Sequence, residues 1–144
     1  MDKRPRKPFV ILHFCCDPTV LTDHGMFLRT LGYRVVNSHN GFETIKLSTS
    51  GKIDAVVLEL DRNHSDILLI AREIKRVRAL IPTIVVVHAT QTLDGLFGFA
   101  DAVIPEEAGC ERWMKSLEGA LCRRIQQTYL PIPSTDPSAD STRL

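Results

Sequence analysis

Ile53-Asp54-Ala55-Val56-Val57-Leu58-Glu59-Leu60-Asp61 is the stretch on which the fold turns. Ile53, Ala55, Val56, Val57 and Leu58 make an apolar run too continuous for a strand with one wet face. The segment therefore reads as a central parallel strand covered by helices on both sides. In open α/β sheets the working crevice lies at the carboxyl ends of the strands, which is where Glu59 and Asp61 would project.

Towards the N-terminus, Phe9 to Phe14 is a second apolar run, broken only by His13 and followed by Cys15-Cys16-Asp17-Pro18. Asp is a favoured N-cap and Pro a favoured first helical residue. A helix is expected from there, with Val20, Leu21, Met26, Phe27, Leu28 and Leu31 as its apolar face and Gly32 as its stop. Tyr33 to Asn37 reads as a short strand, Asn40-Gly41 as a turn, and Phe42 to Leu47 as a short helix.

Towards the C-terminus, Asp61 to Asp66 is a polar loop. Ile67 to Leu80 has helical spacing, with Ile67, Leu68, Ile70, Ala71, Ile74 and Val77 inward and Arg72, Lys75, Arg76 and Arg78 solvated. Pro82 to Val87 is a β-branched strand with His88 at its exit. Thr90 to Phe99 contains Gly95 and Gly98 and supports only a short or irregular helix. Asp101 to Pro105 is a fifth strand, and Glu107 to Gln127 a final helix using Trp113, Met114, Leu117, Leu121 and Ile125. Strands alternating with helices give a (βα)5 pattern: an α/β fold with a doubly wound, parallel five-stranded sheet.

The chain has 144 residues, 44% hydrophobic and 24% charged, which suits one domain with a core able to fold unaided. We place that domain at 8–128, after a basic arm at 1–7 and before a tail at 129–144. The tail is rich in Pro, Ser and Thr and is expected to be disordered. No apolar run approaches the ~20 residues that cross a bilayer, and no small-residue cleavage site follows the basic start, so a cytoplasmic, membrane-free protein is expected. A net charge of +1 gives no field that would draw the molecule to nucleic acid. Cys15, Cys16, Cys110 and Cys122 have neither disulfide nor zinc spacing and read as small buried hydrophobes. His13 reads as a packing residue, and His24, His39 and His64 as surface residues. No Ser/His/Asp order, Walker loop or dinucleotide Gly motif is present, so no enzyme is expected.

Several framework residues make the chain resemble the CheY-like receiver domains of response regulators over about residues 8 to 125. These are Ile11-Leu12 before the site loop, Asp17-Pro18 at the first helix, Gly41 at the second, and Asp54-Ala55-Val56-Val57-Leu58 where the family has Asp-Leu-Val-Leu-Leu. Asp66, Pro82 and Ala100-Asp101 add to them. The resemblance implies a flavodoxin-like sheet of order 2-1-3-4-5 and a role in two-component or phosphorelay signal transduction.

The family's chemical residues are replaced. Its Mg²⁺-holding acidic pair matches Cys15 and Cys16, next to Asp17. Its phosphoacceptor Asp matches Glu59, its Ser or Thr matches Val87 or His88, its Lys matches Glu106, and its aromatic switch residue matches Val103. Phosphoryl transfer is catalysed by positioning and charge neutralisation, which thiols and a misplaced Glu do not supply. No metal ligand, no cofactor and no Mg²⁺ is therefore expected. Two readings of Glu59 stand: a carboxylate held further out that fixes an activated-like state, or a strand-end acid facing water.

The leading expectation is a pseudo-receiver, a non-catalytic module that binds a protein such as a histidine kinase or an output protein. Homodimers would form through the fourth helix, fifth strand and fifth helix, with Leu93 to Phe99, Phe97, Arg112, Lys115 and Trp113 on that face. The alternative is a phosphorylatable switch with Asp61 or Asp17 as a non-standard acceptor. A third reading, a DNA-associated regulator using the basic arm, lacks a recognition helix.

Overall fold

The computed structural model of the protein describes residues 8–59, 67–87 and 99–129. The basic arm, Asp61, His64, Asp66, His88, Phe97, most of the Leu93 to Phe99 segment and nearly all of the tail lie outside them. Among the described residues, the elements are β1 (Val10–Phe14), α1 (Pro18–Thr30), β2 (Arg34–Ser38), α2 (Gly41–Ser48), β3 (Ala55–Glu59), α3 (Ile67–Val77), β4 (Thr83–Val87), β5 (Ala102–Pro105) and α4 (Cys110–Tyr129). The strands form one parallel sheet in the order β2-β1-β3-β4-β5.

Every residue of β3 and β4 is buried, as their unbroken apolar runs require. Successive side chains on a strand point to opposite faces, and the core divides accordingly. Leu12, Phe14, Val56, Leu58 and Val85 pack with Ile67, Ile70 and Ile74 of α3 and with Ile45 and Leu47 of α2. On the other face Ile11, Val57, Ile84, Val86 and Ile104 pack with Leu28 of α1 and with Trp113, Leu117 and Leu121 of α4. Strand entries are tied down by acids: Asp54 accepts from Val10 N at 2.8 Å, and Asp101 from Thr83 N at 2.7 Å.

α1 lies close on the sheet because residue 25 is glycine. A Cβ there would meet the Asn37 amide at 2.8 to 3.2 Å. Gly32, at φ 99°, takes the left-handed conformation after the C-cap that glycine adopts without strain.

Some helix faces differ from expectation. Met26, Val77 and Met114 are exposed, so the inward stripes are narrower than their apolar residues suggested. Cys110 and Cys122 are also exposed, falling off the Trp113, Leu117, Ala120 and Leu121 stripe, while Cys15 is buried. Trp113, 4% exposed, belongs to the core and not to an open surface. Two cations expected in solvent are built into the structure. Arg78 donates to the carbonyls of Ser48, the last residue of α2, and of Ser50 and Ile53 beyond it, and Lys75 donates to Ile81 O and Asp101. Their long side chains reach backbone carbonyls at the turns that follow α2 and α3.

Candidate functional site

The carboxyl ends of β1 and β3 bring His13 and Glu59 together. His13 stands opposite Asn37 on β2 and Val57 on β3, and Glu59 is two residues beyond Val57 on the same face. That face is covered by α1, where residues 20, 24, 27, 28 and 31 make one helical stripe and place His24 over Glu59. His13 Nε2 lies 2.5 Å from Glu59 Oε2, and His24 Nδ1 lies 2.7 and 2.8 Å from the two carboxylate oxygens. His13 Nδ1 is 3.0 Å from Asn37 Oδ1. The His24 ring meets Trp113 of α4 edge-on, with centroids 5.5 Å apart, and Trp113 meets Phe27 the same way at 5.7 Å.

Glu59 is therefore not a strand-end acid in water. It is 4% exposed, and both oxygens are engaged. Burial pushes its carboxyl up, but the hydrogen bonds from His13 and His24 outweigh that and hold it below the ordinary glutamate value. His24 is likewise no surface residue. Its side chain is only 29% exposed, and its bond to Glu59, against some desolvation, raises its pKa. His13 is fully buried and hydrogen-bonded, as a packing residue should be, while also sharing the Glu59 carboxylate. His39 is exposed.

The positions matched to the family's acid pocket hold no free carboxylate pair. Cys15 is buried, and desolvation pushes its thiol up to about 12. Cys16 is half-buried. Asp17 spends its side chain as the N-cap of α1, accepting from Thr19 N at 2.9 Å and Val20 N at 3.3 Å. Mg²⁺ requires oxygen ligands in near-octahedral array, and this donor set does not fit it. Val87 ends β4 buried, and its carbonyl accepts from Glu106 N at 2.6 Å. Glu106 is exposed, and its charge raises the pKa of His24. Val103 on β5 is half-buried against the α2/α3 side of the core.

Two predictions follow from these partners. Asp17→Ala removes a cap and is expected to cost about 1 kcal/mol, read as a lower urea midpoint with an unchanged slope. The second concerns pH. Glu59, with its folded pKa below 4.5, contributes stability that is present above 4.5 and lost as pH falls through its folded value. His24, raised above 6.5, contributes stability that is complete below 6.5 and lost as pH rises through its folded value. Both contributions coincide between 4.5 and 6.5. The urea midpoint is expected to decline on the alkaline side, and His24→Gln should flatten that decline. A midpoint that climbs from pH 6.5 upward in the native protein contradicts the pairing.

The architecture has close counterparts. A response-regulator receiver domain from Clostridium thermocellum has a TM-score of 0.75 at 17% identity, covering 83% of this chain and 98% of its own. A CheY-like receiver from Methanospirillum hungatei has 0.74 at 15% identity, covering 84% and 99%. The fold is that of CheY-like response-regulator receiver domains. The receiver domain of a sensor histidine kinase from Pseudomonas aeruginosa, solved with magnesium coordinated in its active-site cleft, has 0.66 at 21% identity, covering 83% and 98%.

By sequence, the chain is 29% identical over 111 residues to the transcriptional regulatory proteins GlrR of Escherichia coli K12 and QseF of E. coli O157:H7. The match takes in 71% of this chain and 24% of each relative, so the chain spans about a quarter of their length. No family model matches it.

Proposed function

We propose that the protein is an atypical receiver module in two-component signalling that works without phosphorylation, as a non-catalytic partner-binding domain. The observation that carries this is the state of Glu59. At the position matched to the phosphoacceptor stands a buried carboxylate whose oxygens are bonded to two histidines. A nucleophile must present a free oxygen in line with the transferring group, with cations on the equatorial oxygens. Here the oxygens are occupied, and the position matched to the family's Lys is Glu106, an acid. The donor set at Cys15, Cys16 and Asp17 suits Mg²⁺ poorly, which supports a domain that works without that cofactor.

An interaction role is supported by apolar surface on the α2/α3 side. Phe42 is 88% exposed and Leu69 50%, beside a groove of about 850 Å³ that Ile45 and Ile70 also line. On this reading the domain at 8–128 acts in the cytoplasm on a histidine kinase or an output protein. Among the described residues, no helix is long and apolar enough to cross a membrane.

The test is incubation of the full chain with a small phosphodonor and Mg²⁺, followed by intact mass. An unchanged mass is expected. One added phosphate overturns the reading, and peptide mapping to Asp61 or Asp17 would turn it into a switch with a substitute acceptor.

A further inference from the structure

A polar line runs beneath α1 through five elements. Asn37 of β2 bonds His13 of β1, His13 bonds Glu59 of β3, Glu59 holds His24 of α1, and His24 rests against Trp113 of α4. Among the described residues the two imidazoles are the only hydrogen-bond partners of the buried carboxylate, so histidine and not a permanently charged side chain supports it. Among the described residues no Lys or Arg bonds Glu59 to keep it paired at every pH. The other charges acting on His24 are acids, Glu106 after β5 and Asp23 on α1 itself. Cys15 and Asp17, in the loop after β1, are further titratable groups of the described surroundings. α4 contributes the Trp113 ring and β2 the Asn37 amide.

We propose that His13, Glu59 and His24 form a proton-operated latch, in which protonated His24 ties α1 to β3 and to Trp113 and its deprotonation releases that tie. The proposal rests on reading Glu59 as a carboxylate that is not phosphorylated; the site then takes up a proton where other receivers take a phosphoryl group. A ligand shifts a conformational balance only through its differential affinity for the two states. That difference exists here, because His24 faces the carboxylate at 2.7 to 2.8 Å only while α1 is docked. Below the raised pKa of His24 the latch is closed. Above it a neutral ring no longer balances a buried anion, and the α1/α4 face that a partner can touch changes.

Trp113 is the only tryptophan of the chain, so its fluorescence reports on the latch directly. The full chain, titrated from about pH 5.5 to 9 across the histidine range, should show a fluorescence transition with its midpoint above 6.5. His24→Gln should abolish the transition, Glu59→Gln should move the midpoint down, and His39→Gln should leave it in place. The His24 ring resonances in NMR should titrate with the same midpoint, and amide shifts across α1 and α4 should follow it.

Flat fluorescence, or a midpoint that Glu59→Gln leaves unmoved, overturns the latch. Circular dichroism checks that each variant is folded; if Glu59→Gln is not, the native NMR titration and His24→Gln decide. Phosphate on Glu59 by intact mass would instead remove the underlying reading, whereas a flat titration of an unphosphorylated chain sinks the latch alone.

Discussion

Replacing His13 with Leu is expected to cost on the order of 3 kcal/mol, because it strips a buried carboxylate of one of the two partners it has among the described residues. Breaking a buried pair from one side costs about 3–5 kcal/mol, and the low end applies because His24 still meets Glu59. The cost would be a large share of a total stability of roughly 5–15 kcal/mol for a domain of this kind. The double replacement His13→Leu/Glu59→Leu should recover most of it, since an apolar pair of similar volume leaves no buried carboxylate unpaired and His24, part-exposed, can shed its proton. Urea denaturation of the native protein, both singles and the double closes the cycle. If the double loses as much as the two singles added together, the two side chains are not coupled and His13 does not support Glu59.

Phe14→Ala is expected to cost about 3–5 kcal/mol by removing a large ring from a core that cannot collapse to fill the gap. Phe14 is 0% exposed at the end of the interior strand β1, packed in the cluster that joins the sheet to α2 and α3. The matching control is Phe42→Ala, which deletes the same ring from a site 88% exposed and should change stability by less than about 0.5 kcal/mol. Comparable losses at the two positions would mean that Phe42 is covered in solution and that the α2/α3 groove is closed.

The fold was legible because its strongest signals are local. The run from Ala55 to Leu58 has no polar residue to turn outward, so burial on both faces follows from composition alone. Asp17-Pro18 announces α1 with a cap and a preset φ, and the structure uses both. The site was less legible because its contacts join residues 35 and 46 positions apart. Even so, the signs were present: His24 falls on the same helical stripe as Val20, Phe27, Leu28 and Leu31, and His13 on the same strand face as Ile11. A histidine on an apolar stripe needs a partner inside. Choosing Glu59 over other acids required the strand register, which no local pattern supplies.

The outermost strands bear on how copies of the chain can meet. β5 is four residues long and closes with Pro105, which has no amide to donate, and β2 opens with an exposed Arg34. Short, charged or proline-ended rims are poor templates for strand addition. Sheet continuation is thus a poor route by which copies could join, and the highly apolar interior strands are guarded from the cross-β stacking that seeds fibrils.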